Sequence, residues 1–299
     1  MNQPVARCST GPVPCTTVAY ESVRLRLLYQ DHTFVGIAER LEELLDCFVQ
    51  QEEDSAPAVT LCVQRNGRGF QITEEAAHGR VWLCTSKHSL IPYLEWVIHQ
   101  VIAERLTDAM GLHAGVAGPS GHPILLMGRS GAGKSTLTLN LVQSGWHYWT
   151  DDLAVISLND ACCRPYPKAL KFEGAFRGKF PYDRGSVLRF RIGTRPYRYV
   201  RPWRIPTIRW GQPAPVAAAI VLAQGRGREA HLSPLSPTAL LKELAAHSSI
   251  NKERLPLEFE TLCRLAEQVP AVRLAMGRSV SENARLIRNF VQTVLGPPV

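Results

Sequence analysis

Eight residues in the middle of the chain have the types and spacing to hold a polyphosphate. Gly128-Arg129-Ser130-Gly131-Ala132-Gly133-Lys134-Ser135 fits the pattern G-x-x-x-x-G-K-[ST]. Glycines let successive backbone N–H groups turn inward around phosphate oxygens, and the start of the helix that follows adds partial positive charge. Lys134 is long enough to reach β and γ phosphates, and the Ser135 hydroxyl can ligate Mg2+. A chance match anywhere in the chain has a probability of roughly 1% from average composition. The nucleotide site read from the motif is therefore Gly128, Arg129, Ser130, Gly131, Ala132, Gly133, Lys134, Ser135 and Thr136, with ATP and Mg2+ as cofactors.

Metal-assisted phosphoryl transfer also needs carboxylates. Asp151-Asp152 follows Ser135 after one helix length and a turn at Gly145, the spacing of a strand-loop-helix-strand unit. One carboxylate of such a pair can hold Mg2+ while the other accepts the proton of an attacking hydroxyl. The residues alone leave that division open; we take Ser135 with Asp152 as the metal-holding pair. Catalytic candidates are Asp151, Asp152 and Lys134, joined by His113, which the residues support only by its place just before the loop's strand.

The elements that must position these groups are legible as apolar runs. Ile124 to Met127 leads into the loop, and Leu112 to Val116 precedes it across a Gly- and Pro-rich turn cluster, so adjacent antiparallel strands are expected. Leu153 to Leu158 and Val216 to Leu222 read as further strands. Pro237 to Ala246 and Leu257 to Glu267 read as helices, and Ser281 to Leu295 as a C-terminal helix capped by Ser281. Upstream, Val23 to Leu28 alternates as a strand and Val35 to Val49 has helical spacing. Val59 to Val63 and Phe70 to Thr73 flank an Asn66-Gly67 hairpin turn, and Val81 to Cys84 is one more short strand. Ser89 to Leu106 carries Leu94, Val97, Ile98, Val101 and Ile102 on one helical face. The expected organisation is a flexible tail over 1–19, a small α+β module over 20–107, and a domain over 108–299 that carries the loop.

Composition excludes several classes. With 299 residues, 45% hydrophobic and 20% charged, the chain is neither disordered nor fibrous. No run approaches eighteen consecutive apolar residues and the N-terminus lacks the order of a signal peptide, so a cytoplasmic protein with no membrane partner is expected. Eight cysteines without CxxC spacing set up neither a zinc site nor a disulfide framework. The net charge is +8, yet residues 164–210 hold thirteen Lys or Arg against Glu173 and Asp183, which leaves the rest of the chain net negative. Such a local excess points to an anionic partner: nucleotide phosphates, an acidic peptide or single-stranded nucleic acid. The plainer reading is a solvated face on a strand-rich segment with its aromatics inward.

LHAGVAG (112–118), GRSGAGKST (128–136) and WHYWTDDLAVI (146–156) together resemble the catalytic domain of the HPr kinase/phosphorylase family, whose core is similar to that of ATP-dependent phosphoenolpyruvate carboxykinase. Pro92-Tyr93-Leu94-Glu95-Trp96 and Leu232-Ser233-Pro234-Leu235-Ser236-Pro237 extend the resemblance, over residues 85–295, to the HPr-kinase-related proteins called kinase A. The resemblance implies an α/β fold: a P-loop kinase core of the HPr kinase/phosphoenolpyruvate carboxykinase type behind a small N-terminal α+β module. It implies a phosphotransferase in which one aspartate is the base, the other and Ser135 hold Mg2+, and His113 lies by the transferred phosphate. The implied acceptor is a Ser/Thr hydroxyl of a peptide or small protein, with a PqqD-like peptide carrier as a further partner and a homo-oligomer as the assembly. The chain departs from HPr kinases in its N-terminal module and at 164–210, where the basic run replaces a short acidic, glycine-rich segment. Both departures argue against HPr as the substrate and against reverse phosphorolysis. Lys171, Arg201 and Arg204 become candidates for gripping phosphate or an acidic substrate.

The leading expectation is thus a Mg-ATP-dependent kinase. A nucleotide-gated regulatory module that binds nucleic acid needs only one metal carboxylate, whereas kinase chemistry uses a pair, and a pair is present. An ATP-dependent carboxykinase would need Lys and His metal ligands that the sequence does not place.

Overall fold

In the computed structural model, which describes residues 13–49, 59–76, 79–174, 184–227, 229–249 and 251–296, the chain falls into two units. One takes the described residues up to Ile98 with Phe190–Arg195; the other takes His99–Arg189 and those from Pro196 onward. The expected boundary at 107/108 thus falls earlier, inside a helix.

The first unit is organised by period-two alternation. Strands β1 (Cys15–Tyr20) and β2 (Val23–Tyr29) lead through helix α1 (Val35–Leu44) to β3 (Val59–Asn66), β4 (Gly69–Glu74) and β5 (Val81–Cys84). Val23, Leu25, Leu27 and Tyr29 alternate inward along β2. The sheet order is β1-β2-β3-β4-β5, with β2 and β3 parallel across the α1 connection and the other neighbours antiparallel. Three expectations are corrected here. The flexible tail does not reach residue 19, because Thr16 and Val18 turn inward and Cys15–Tyr20 pairs with β2; residues 1–12 lie outside the described residues. The helix expected to Val49 stops at Leu44, since the Phe48 carbonyl accepts from Ala19 N–H on β1 at 2.9 Å and the backbone must leave the helix to do so. The hairpin turn centres on Gly67-Arg68, because Asn66 still pairs with Gly69.

Helix α2 (Lys87–Arg105) leads into the second unit. There follow β6 (Ala109–Leu112), β7 (Ala114–Gly118), β8 (Ile124–Met127), α3 (Lys134–Gln143), β9 (His147–Thr150), β10 (Ala154–Ser157), β11 (Cys162–Arg164) and β12 (Leu170–Glu173). Next come β13 (Val187–Ile192), β14 (Arg195–Val200), β15 (Ala214–Pro215), β16 (Ala218–Arg226), β17 (His231–Pro234) and α4 (Pro237–His247). The chain closes with β18 (Ser248–Ser249), α5 (Leu255–Gln268), β19 (Ala271–Met276) and α6 (Val280–Leu295). The central sheet has the order β17-β19-β16-β8-β7-β9, with β19, β16 and β8 parallel. A second sheet, β15-β11-β10-β6-β18, is antiparallel throughout.

Strand β8 shows why the central sheet is buried on both sides. Leu125 and Met127 pack with Trp149, Leu240 and Leu262 on one face, while Ile124 and Leu126 pack with Leu137, Leu141 and Ile287 on the other. Each fully buried leucine or isoleucine contributes about 1.5–3 kcal/mol. The expected pairing of Leu112–Val116 with Ile124–Met127 is present only from Ala114 onward. The run is broken at His113, where the chain leaves one sheet for the other. The C-terminal helix is capped by Ser279, whose side chain accepts from Glu282 N–H, rather than by Ser281. Among the described residues the chain is mixed α/β, with four sheets and six α-helices. Among those residues no helix is long and apolar enough to cross a membrane.

Candidate active site

Buried strand β8 delivers the chain to Gly128, and helix α3 begins at Lys134, so the glycine-rich loop is the sharp connection between them. Gly133 sits at the helix start with φ of +103°, a left-handed conformation that a residue with a Cβ adopts only under strain. No side chain caps the helix, so its first N–H groups have no side-chain acceptor at the cap.

Lys134 is buried, and its ammonium donates to the Gly128 carbonyl at 2.8 Å and to His113 Nε2 at 3.0 Å. An ammonium can only donate, so His113 Nε2 accepts and the imidazole proton resides on Nδ1. That Nδ1–H faces Asp152, whose backbone carbonyl is at 3.2 Å and carboxylate Oδ1 at 3.1 Å. Burial holds the His113 pKa below its usual range, with Lys134 and Lys168 adding to the effect and Asp152 opposing it. The ring is therefore neutral at pH 7. Burial likewise lowers the Lys134 pKa, against the pull of both aspartates.

The two aspartates, adjacent in sequence, occupy opposite environments. Asp151, at the end of β9, is 1% exposed, and neither carboxylate oxygen has a hydrogen-bond partner of ordinary geometry. The equally buried Thr138 Oγ1 is also unpartnered. Both flank Gly115 on β7: a Cβ there would lie 2.6 Å from Thr138 Oγ1 and 3.3 Å from Asp151 Oδ1, so only glycine leaves them room. Burial and the neighbouring Asp152 charge push the Asp151 pKa up to about 6, opposed by the Ser135 hydroxyl, Lys168 and Lys134. Asp152 stands half-buried at φ of +69°, a conformation that aspartate tolerates better than most residues. Burial raises its pKa too, but Lys168, His113 and Lys134 outweigh that and hold the carboxyl well below the usual carboxylate range.

Lys168 is the residue that sequence reasoning missed. It is 5% exposed, with its ammonium 3.3 Å from Asp152 Oδ2, and its carbonyl accepts from the Tyr148 hydroxyl. Among thirteen basic residues in 164–210 nothing in the sequence singles it out; its contact with Asp152 does.

Two clefts flank the loop. One, of about 520 Å3, is lined by His113, Ser130, Gly131, Gly133 to Thr136 and Asp152, and by Lys171, Phe172, Glu173 and Tyr197 from β12 and β14. The other, of about 610 Å3, is lined by Gly128 to Ala132, Val221, Leu222, Glu243, His247 and Arg273. His113 and His247 stack nearly parallel with ring centroids 6.3 Å apart, and His113 N–H donates to the His247 carbonyl.

The sequence-expected residues Gly128, Arg129, Ser130, Gly131, Ala132, Gly133, Lys134, Ser135, Thr136, His113 and Asp152 all line one cleft or the other. Asp151 lies behind them, beside Ser135. The carboxylate whose surroundings include the Ser135 hydroxyl is that of Asp151, whereas Asp152 is engaged by His113 and Lys168. Of the basic candidates, Lys171 lines a cleft. Arg201 does not; it is 4% exposed and bonds the Gly185 carbonyl, and Arg204 lines neither cleft. Among the described residues the cysteines are free thiols, and no group of three or more His, Cys, Asp or Glu is placed to hold a metal.

No protein-family model matches the chain, and no curated protein matches it. Among solved structures it is similar to the Hpr(Ser) kinase/phosphatase from Coxiella burnetii, at 13% identity and a TM-score of 0.33, over 62% of this chain and 99% of that one.

Proposed function

We propose that the chain is a phosphotransferase that moves the γ-phosphate of Mg-ATP to a Ser or Thr hydroxyl of a peptide or small protein. The observation that carries this reading is the convergence of Lys134, Ser135, His113, Asp151 and Asp152 around one loop of the kind that cradles phosphates. The residues also fit the metal the reaction needs. Asp151 offers two buried carboxylate oxygens without partners, and the Ser135 hydroxyl lies beside them. A hydroxyl and a carboxylate, with the remaining positions left to phosphates and water, suit Mg2+ rather than a closed cage of protein ligands.

In this reading the loop N–H groups bind the polyphosphate, and Lys134 exchanges Gly128 O and His113 Nε2 for phosphate oxygens. Asp151 and Ser135 would hold Mg2+, which neutralises charge between the β and γ oxygens when bound. Asp152, kept ionised by Lys168, orients the acceptor hydroxyl and takes its proton. Neutral His113 holds Asp152 through its Nδ1–H and lies beside the transferred group. The catalysis asked of these residues is mainly positioning and charge neutralisation, as phosphoryl transfer requires.

The test is mass spectrometry after incubating the protein with Mg-ATP and candidate peptides or small carrier proteins, with Lys134→Ala as control. A gain of one phosphate on a Ser or Thr that depends on Lys134 supports the proposal. Bound ATP with no acceptor modified, together with salt-sensitive retention of RNA, replaces it by a nucleotide-gated binding module.

A further inference from the structure

The ladder of β12 and β14 has features that the phosphate chemistry does not use. Leu170 and Phe172 of β12 and Val200 of β14 turn into the core with Leu137 and Leu141 of α3. Period-two alternation puts Lys171 and Glu173 on the opposite face, and the register sets them across from Tyr199 and Tyr197. The Lys171 ammonium lies 5.1 Å from the Tyr197 ring centroid and 5.8 Å from that of Tyr199. Tyr199 is fully buried, whereas Tyr197 is half-buried and lines the 520 Å3 cleft with Lys171 and Glu173.

That cleft brings two sets of residues together: the triphosphate binders Gly133 to Thr136, and Lys171, Glu173 and Tyr197 from β12 and β14. Lys171 and Glu173 stand two residues, about 7 Å, apart along β12.

We infer that the face of β12 and β14 carrying Lys171, Glu173 and Tyr197 is the nucleoside-recognising wall of the donor cleft, with Tyr197 as the surface on which the base stacks. This rests on the phosphotransferase reading and adds to it where the base is gripped. An aromatic ring with a cation beside it is the pairing that holds a flat, electron-rich base, and it tolerates different bases because each has a π-face. It also gives part of the basic run a role other than docking the acceptor.

The experiment is calorimetric titration of the full chain with Mg-ATP and, separately, with Mg-tripolyphosphate, which has the phosphates and no base. Tyr197→Ala is expected to weaken Mg-ATP roughly 5- to 150-fold and to leave Mg-tripolyphosphate unchanged, which also shows that the variant folds. Tyr197→Phe keeps the ring and should bind Mg-ATP as the parent does. Unchanged Mg-ATP affinity in Tyr197→Ala overturns the inference and leaves the phosphotransferase reading standing. Equal weakening of both ligands overturns it too, by moving the effect to the phosphates. If the parent binds neither ligand, both readings fall.

Discussion

Asp151 and Asp152 differ by one position and by the sign of what their environments do to charge. For Asp151 the native state holds its proton more tightly than the unfolded chain, with a pKa of about 6 against 3.8. Its contribution to stability is therefore present below about pH 4 and lost as the pH rises through 6. Above that pH a charge is buried that the Ser135 hydroxyl, Lys168 and Lys134 only partly offset. Asp151→Asn removes it, so the metal-free protein should gain about 1–3 kcal/mol at pH 8, read by denaturant titration. The same variant should lose Mg-dependent nucleotide binding. Asp152 has the opposite sign: its depressed pKa gives stability that is present above the ordinary carboxylate range and lost as the pH falls. Asp152→Asn leaves the buried Lys168 without its counter-ion and should cost about 2 kcal/mol after discount for the partial exposure of Asp152. Equal signs for the two variants would contradict these environments.

The β8-loop-α3 element was legible because every level of the sequence agrees on it: an apolar run, glycines where the backbone must turn, and a helix pattern directly after. His113 and the acid pair were legible as residues, but their geometry was not. The bend that frees His113 from its strand comes from β6 and β7 joining different sheets, a long-range fact that no local pattern records. Strands β12 and β14 are short and interrupted by charge, so their alternation is masked and the segment reads as one basic run. Strand β19, Ala271–Met276, went unread because Arg273 interrupts its apolar pattern, although the residue pairs with Glu243 at 2.8 Å. The fit of Gly115 against Thr138 and Asp151 gives a test at this scale. Gly115→Ala should destabilise the protein by about 1–3 kcal/mol through overpacking and weaken Mg-ATP binding by displacing Asp151. Unaltered stability and binding would show that the close approach does not constrain the site.

Over the whole molecule, the charge excess of the basic run is partly spent inside the fold. Arg164 makes a bidentate contact with Asp108, Lys168 pairs with Asp152, and Arg201 bonds a backbone carbonyl. Lys171, by contrast, lines the cleft beside the glycine-rich loop. Binding there should stabilise the folded chain by linkage. Mg-ATP at a hundred times its Kd is expected to contribute about 2.7 kcal/mol, seen as a Tm rise that is absent in Lys134→Ala. The most direct measurement is phosphorus NMR of the protein with Mg-ATP and a mixture of Ser- and Thr-containing peptides. The account expects a phosphomonoester resonance to grow in step with ADP, and not to grow with Lys134→Ala. Full occupancy by ATP with no phosphomonoester formed on any hydroxyl, or equal formation by Lys134→Ala, would contradict it.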